Sequence, residues 1–226
     1  MNFQENRLFI FAVGITIIGF FGYLVLKPDS AKTADVKESS VSTLEMSKAY
    51  KKGNPDAKVR LVQYSDFLCP SCSQLSLGVM PEIEKNYIDT GKVSFEFRPM
   101  AFIAAGSQTA AEGAYCAADQ GKFWEYHDAA YSAVWQGYFN RGIDPRQVPL
   151  YSVDGVTEIG KQAGLDSEVL GTCLTDKTHT QEVVKYTQKA QAAGVSGTPY
   201  LEVNGRAIQG SPSYEIIEAA LKAAGA

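Results

Sequence analysis

Two cysteines two residues apart, Cys69-Pro70-Ser71-Cys72, stand where a strand-like run, Val59 to Tyr64, hands over to a helical one. That junction constrains the fold more than any other feature of the chain. It puts the first sulfur at a helix start, among backbone N–H groups without intrahelical partners and at the positive end of the helix dipole. A thiolate is favoured there over a thiol, and the thiolate is the species that attacks disulfides. In such motifs the pKa falls from about 8.5 to between about 3.5 and 7.5, a range that spans reductants and oxidants, so the motif alone does not set a direction. Cys72, one turn further in, is expected to be the more buried. The same spacing can supply half of a zinc site, which needs a second pair of ligands. Only Cys116, Cys173, His127 and His179 remain, no two at ligand-knuckle spacing, so redox chemistry is preferred, no metal is expected, and metal analysis is the check on the alternative.

A chain of 226 residues, 45% of them hydrophobic, can bury one ordinary domain core. A net charge of -4 offers no basis for nucleic-acid binding, and without a glycine-rich phosphate loop no nucleotide cofactor is expected. Leu8 to Leu26 is apolar and uncharged over about 19 residues, the length of a membrane-spanning helix and longer than a signal-peptide core. Lys27-Pro28-Asp29 follows rather than a small-residue cleavage site, so a retained anchor is expected. Arg7 on one side and Lys27 and Lys32 on the other leave orientation to be argued from chemistry. Four cysteines in a membrane-entering chain fit an oxidising compartment, which turns the catalytic part toward the periplasm or the cell exterior. The expected organisation is an anchor over 1–27, a polar linker over 28–50, clearest from Pro28 to Thr43, and a domain over 51–226.

Within the domain, a helix beginning at Pro70 and running toward Asp89 is predicted to kink at Pro81 and to end at Thr90-Gly91. Val93 to Phe97 alternates as a second strand, which implies a parallel pair with a right-handed crossover. A helical block follows over about 107–193, punctuated near Gly142-Ile-Asp-Pro145 and Gly164-Leu-Asp166. Pro199 to Val203 is a third strand, Asn204-Gly205 a hairpin turn, Arg206 to Gln209 the returning strand, and Ser211-Pro212-Ser213 opens a last helix with Ile216, Ile217, Ala220 and Leu221 on one face. The fold class is α/β: a thioredoxin fold with an inserted helical domain, preceded by a transmembrane helix.

From about Ala57 onward the chain resembles the DsbA-like branch of thiol:disulfide oxidoreductases. The matching segments are Tyr64 to Cys72, Pro81 to Phe97, Cys116 to Asp128 with its Phe-Trp-Glu-Tyr-His-Asp run, and Gly194-Val-Ser-Gly-Thr-Pro199. The resemblance implies a nucleophile at Cys69, a resolving thiol at Cys72, a cis bond between Thr198 and Pro199 facing them, and a structural disulfide between Cys116 and Cys173. A cis bond is cheap only before proline, and a proline opening a strand loses no ladder bond. Backbone at Thr198 is expected to pair with an extended substrate.

Two positions depart from the family pattern. Ser71 stands where relatives often carry histidine; it can donate to a Cys69 thiolate but adds no charge, which implies a less oxidising couple. Gln63 stands where relatives often carry a buried acid near the resolving thiol; it cannot take a proton, though it can order a water, and Asp66 is left as either a proton carrier or a turn residue. His127 reads as a packed histidine, His179 as a surface one, and Trp124 and Trp135 as core residues before groove residues. The expected function is to pass a Cys69–Cys72 disulfide to reduced or unfolded substrate proteins, with reoxidation by a membrane quinone-linked partner. A reductase or isomerase of the same fold, and a tethered binding or holdase module, are the alternatives.

Overall fold

The computed structural model describes residues 50–226. The expected membrane span and the linker, apart from Tyr50, lie outside them. No helix among the described residues is long and apolar enough to cross a membrane.

A five-stranded sheet in the order β1-β3-β2-β4-β5 carries the domain. At its centre β2 (Val59–Asp66) pairs in parallel with β3 (Val93–Met100), Val59 opposite Val93 and Asp66 opposite Met100. Both strands outrun the predicted ends at Tyr64 and Phe97. The sheet is covered on both faces, so all of β3 and all but Arg60 of β2 avoid solvent, and alternation no longer marks where they stop. Even Glu96 and Arg98 are buried, held by bonds from the Arg98 guanidinium to the Glu96 carboxylate and the Tyr64 hydroxyl. On the other side of β2, β4 (Tyr200–Val203) pairs antiparallel and turns into β5 (Arg206–Ala207). Asn204 and Gly205, with φ of 48° and 79°, make the expected two-residue turn. The returning strand is shorter than the predicted Arg206 to Gln209. The three-residue β1 (Tyr50–Lys52) was not foreseen; it lies antiparallel on β3, and the Tyr50 ring stacks on Phe123 at 3.7 Å, which moves Tyr50 out of the linker and into the fold.

The helix after β2 is built in four pieces. α1 (Pro70–Gln74) passes into a π-helical turn (Leu75–Val79), α2 (Met80–Ile83) and a second π-helical turn (Glu84–Ile88). The irregularity expected at Pro81 takes this form because proline has no N–H for the usual ladder; Met80 N–H already bonds Leu75 O, five residues back.

The helical insertion contains α3 (Ala105–Asp119), α4 (Phe123–Gly137), short 3₁₀ turns, α5 (Val153–Gln162), α6 (Ser167–Thr175) and α7 (Thr180–Ala192). Gly113 lets α3 approach its neighbours: a Cβ there would come within 2.5 Å of Val156 Cγ1 and 2.6 Å of the Tyr126 hydroxyl. Cys116 on α3 and Cys173 on α6 are joined as a disulfide with an S–S distance of 2.01 Å. The last helix, α8 (Tyr214–Ala223), is capped by Ser213, whose hydroxyl accepts from Ile216 N–H. Ile217 and Leu221 are buried, but Ile216 turns outward, against the expected apolar face.

Candidate active site

The loop after β2 delivers Cys69 to the N-cap of α1 with extended backbone. Its sulfur accepts the Cys72 N–H at 3.3 Å, and its S–H reaches the Thr198 carbonyl at 3.2 Å across a cis Thr198-Pro199 bond. Both cysteines are free thiols, so the site is in its dithiol form. Cys69 is 5% exposed and Cys72 is fully buried, in the expected order. The Cys72 thiol, hydrogen-bonded to the Cys69 sulfur, does most to lower Cys69; burial opposes it, bonds from Thr198 and the Cys72 N–H assist, and the pKa falls from 9.0 to about 7. Burial drives Cys72 the other way, well above 9.0, with bonds to Ser65 and Thr198 only partly offsetting it. One sulfur is poised to ionise and its neighbour to stay protonated, an asymmetry that suits disulfide exchange.

The supporting residues divide differently from the sequence expectation. The Asp66 carboxylate accepts from Leu68 N–H at 2.9 Å, Phe102 N–H at 3.1 Å and Ile103 N–H at 3.2 Å, so it ties the loop before Cys69 to the loop after β3. Those bonds fill the turn role, while burial raises the Asp66 carboxyl above its ordinary pKa despite them. Ser71 is exposed, as is Pro70, and the bonds that reach the Cys69 sulfur come from Cys72 and Thr198, not from the Ser71 hydroxyl expected to donate there. The Thr198 carbonyl expected to meet substrate is engaged by Cys69 in this dithiol form. Gln63 is buried and donates through Nε2 to Ser65 Oγ at 2.9 Å and Ser76 Oγ at 3.4 Å. It reaches Cys72 through Ser65, which hydrogen-bonds the Cys72 sulfur and was missed from sequence. The signal was present: Gln63 and Ser65, two apart on a strand, share the face that carries α1.

A cleft of about 570 Å³ opens beside Cys69, lined by Leu68, Pro70, Ile103, Trp135, Phe139 and Ile143, with Asp144 and Arg146 at its edge. Trp135 is thus a groove residue. Trp124 is a packing residue, in contact with Phe95, Phe97 and Phe123 and with Lys52 Nζ 4.2 Å over its ring. His127 is packed as expected, its ring 4.6 Å from Phe97 and 4.9 Å from Tyr131. His179 is not at the surface: it is 8% exposed and lies between Asp119 at 2.6 Å and Glu182 at 3.3 Å. It approaches the Cys116 and Cys173 sulfurs, but the disulfide occupies both, which removes the free thiolates a zinc site would use.

A strand, Cys-x-x-Cys and helix facing a cis-proline loop define the class of dithiol–disulfide exchange proteins. The chain belongs to the thioredoxin family: residues 46–223 match the family model described as Thioredoxin. Within it the chain is DsbA-like. It is 27% identical over 227 residues to the probable disulfide bond formation protein D of Bacillus cereus, covering 96% of this chain and 97% of that one. Disulfide bond formation protein D of Bacillus subtilis is 28% identical over 170 residues, covering 74% of this chain and 72% of the relative. The crystal structure of oxidised BdbD from Bacillus subtilis superposes with a TM-score of 0.67 at 25% identity, covering 77% of this chain and 91% of that one.

Proposed function

We propose that this protein disulfide oxidoreductase introduces disulfides into extracytoplasmic proteins through Cys69 and Cys72. The observation that carries the reading is the unequal pair of thiols, Cys69 lowered to about 7 at the mouth of the site and Cys72 raised beneath it. In the disulfide form a substrate thiolate attacks Cys69 and the electron pair of the broken S–S bond goes to Cys72. The substrate's second thiolate then attacks the mixed disulfide, Cys69 leaves as a thiolate, and the substrate departs oxidised. A low pKa makes Cys69 the better leaving group in that second step. The apolar cleft at Trp135, Phe139 and Ile143 fits unfolded chain, with the Thr198 backbone offering strand-like pairing once the Cys69 S–H is gone.

The reading extends beyond the described residues. Leu8 to Leu26 anchors the chain in the cytoplasmic membrane with the catalytic domain facing the periplasm or cell exterior, and a membrane quinone-linked partner restores the disulfide. The length and apolarity of that segment support the anchor, and the Cys116–Cys173 disulfide supports an oxidising compartment. The test is stoichiometric transfer. Oxidised protein mixed with a reduced unfolded two-cysteine polypeptide should yield one substrate disulfide and one dithiol per turnover, and Cys69→Ser should abolish it. Transfer that survives Cys69→Ser sinks the proposal. A second reading, reductase or isomerase, draws on the same Cys69 value, since about 7 matches the attacking thiol of thioredoxin. A reduction potential near about -270 mV would select it, and one nearer about -120 mV the oxidase.

A further inference from the structure

Behind the catalytic pair lies a second cavity, of about 310 Å³, lined in part by Gln63, Ser76, His127, Asp128, Lys52 and Glu84. Two buried polar atoms on its lining residues, Gln63 Oε1 and His127 Nε2, have no hydrogen-bond partner among the described residues. Each is the free end of a bonded group. His127 Nδ1 sits 2.7 Å from Asp128 Oδ1; a carboxylate only accepts, so Nδ1 carries the proton and neutral Nε2 is left as an acceptor. Gln63 sends its amide N–H groups the opposite way, to Ser65 and Ser76, which leaves Oε1 as a second acceptor. The rest of the lining includes the apolar Leu77, Met80, Pro81 and Phe95, so a water that donates one hydrogen to each acceptor would satisfy both where the wall offers them little else.

We propose that Gln63, held by such a water against the Asp128–His127 pair, orients Ser65 as a hydrogen-bond donor to Cys72 and so stabilises the Cys72 thiolate without a carboxylate at position 63. Ser65 Oγ receives the Gln63 N–H at 2.9 Å, and its one O–H lies within hydrogen-bond reach of both the Cys72 sulfur and the Tyr131 hydroxyl. From His127 to Ser65 every link is uncharged, and the one carboxylate, Asp128, stands at the solvent-exposed far end, so no isolated charge is buried in the chain. The charged groups nearest its far end, Lys52 and Glu84, neutralise one another at 2.8 Å, and Asp128 is held by His127. At its near end, Cys72 faces the Cys69 sulfur, Thr198 and the Tyr131 hydroxyl, and the buried Asp66, bonded to three backbone N–H groups, acts on Cys69 and Tyr131. The donor helps in both directions: it stabilises Cys72 as the departing thiolate during substrate oxidation and as the attacking thiolate during reoxidation. Ser65, Gln63 and His127 are positioning residues in this scheme.

The inference rests on Cys72 being the resolving thiol, and the test separates the two. Reduced full-length protein is mixed with oxidised glutathione across about pH 5 to 9. Cys69 thiolate first attacks, releasing one glutathione at a rate proportional to glutathione disulfide; Cys72 then attacks the mixed disulfide and releases the second at a rate independent of it. Losing a hydrogen bond to a charged group should raise the Cys72 pKa by about one unit in Ser65→Ala and Gln63→Leu. Because a more basic thiolate is also more nucleophilic, the second step at about pH 7 should slow only about threefold, while the first step is unchanged. His127→Phe should shift the same profile in the same direction, and Gln63→Glu should give the second step a new inflection inside that pH window, because a carboxyl at this fully buried position titrates above its ordinary value. Near-ultraviolet circular dichroism reports folding, and Ser65→Ala, the smallest change, decides if His127→Phe fails to fold. If Cys72→Ser retains the second step, the resolving role fails. If Cys72→Ser abolishes it but Ser65→Ala and Gln63→Leu keep the parent's profile, the donor chain alone is overturned.

Discussion

The asymmetry of the two thiols predicts how the redox equilibrium bends with pH. Cys69 has a folded-state pKa of about 7 against 9.0 when unperturbed, and at 5% exposure little solvent screening dilutes the difference. Its folded value is depressed, so the stabilisation of the dithiol form is complete above about pH 9 and disappears as pH falls through about 7. Cys72 is raised, stays protonated in folded and unfolded chains alike below about pH 9, and contributes nothing in that window. Relative to an unperturbed thiol, the dithiol form gains about twofold at pH 7 and about tenfold at pH 8, the latter about 1.4 kcal/mol or about 30 mV. Equilibration with glutathione buffers at closely spaced pH values measures it. The potential should fall by about 59 mV per pH unit below about pH 6, where reduction takes up two protons, and by about 30 mV per unit above about pH 8, where it takes up one. Thiolate absorbance in the ultraviolet should rise through the same midpoint and vanish in Cys69→Ser. A two-proton slope persisting to about pH 8, with a midpoint at about 8.5 or higher, would refute the claim that Cys72 and Thr198 lower Cys69.

Three further outcomes follow from the same contacts. Cys72→Ser should accumulate mixed disulfides on Cys69 in cells, visible as bands that collapse on reduction, because the competing intramolecular attack is lost. Replacing Cys116 and Cys173 together by alanine opens a bridge spanning 57 residues of sequence. The loop-entropy cost is about 4 kcal/mol, and a domain of this size should lose about 8 to 16 °C in Tm by calorimetry. Asp66→Ala leaves the N–H groups of Leu68, Phe102 and Ile103 without their acceptor and should lower stability in urea by about 2 kcal/mol or more, with Cys69 less sharply positioned and slower in its first exchange step.

Much of this architecture can be read from the chain because local signals agree with one another. The strand into Cys69, proline at the first helical position, Asn204-Gly205 and Ser213 each carry a local mechanism, and each appears where it was expected. What stayed hidden depends on distant partners. Tyr50–Lys52 is too short to show a period and becomes a strand only because β3 offers an edge. Glu96 falls at a polar position of the alternating Val93 to Phe97 run and Arg98 lies beyond its expected end, whereas mutual bonding allows both to be buried in a longer strand. His179 gave no sign of burial because Asp119, which holds it, is 60 residues away in sequence. Ser65 shares strand parity with Gln63, but a lone serine hydroxyl on a strand carries no local signal of its buried sulfur partner.

The sheet order carries a consequence for how the chain is made. One edge of β2 is taken by β3 soon after it leaves the ribosome, but the other waits for β4, whose Val203 meets Leu61 only after the whole helical insertion has been synthesised. At about 5 to 20 residues per second, that flank stays open for many seconds on the nascent chain, a bare ladder beside hydrophobic side chains. The chain thus passes through a long unfinished stage, in which pairing with the wrong strand competes with its own completion.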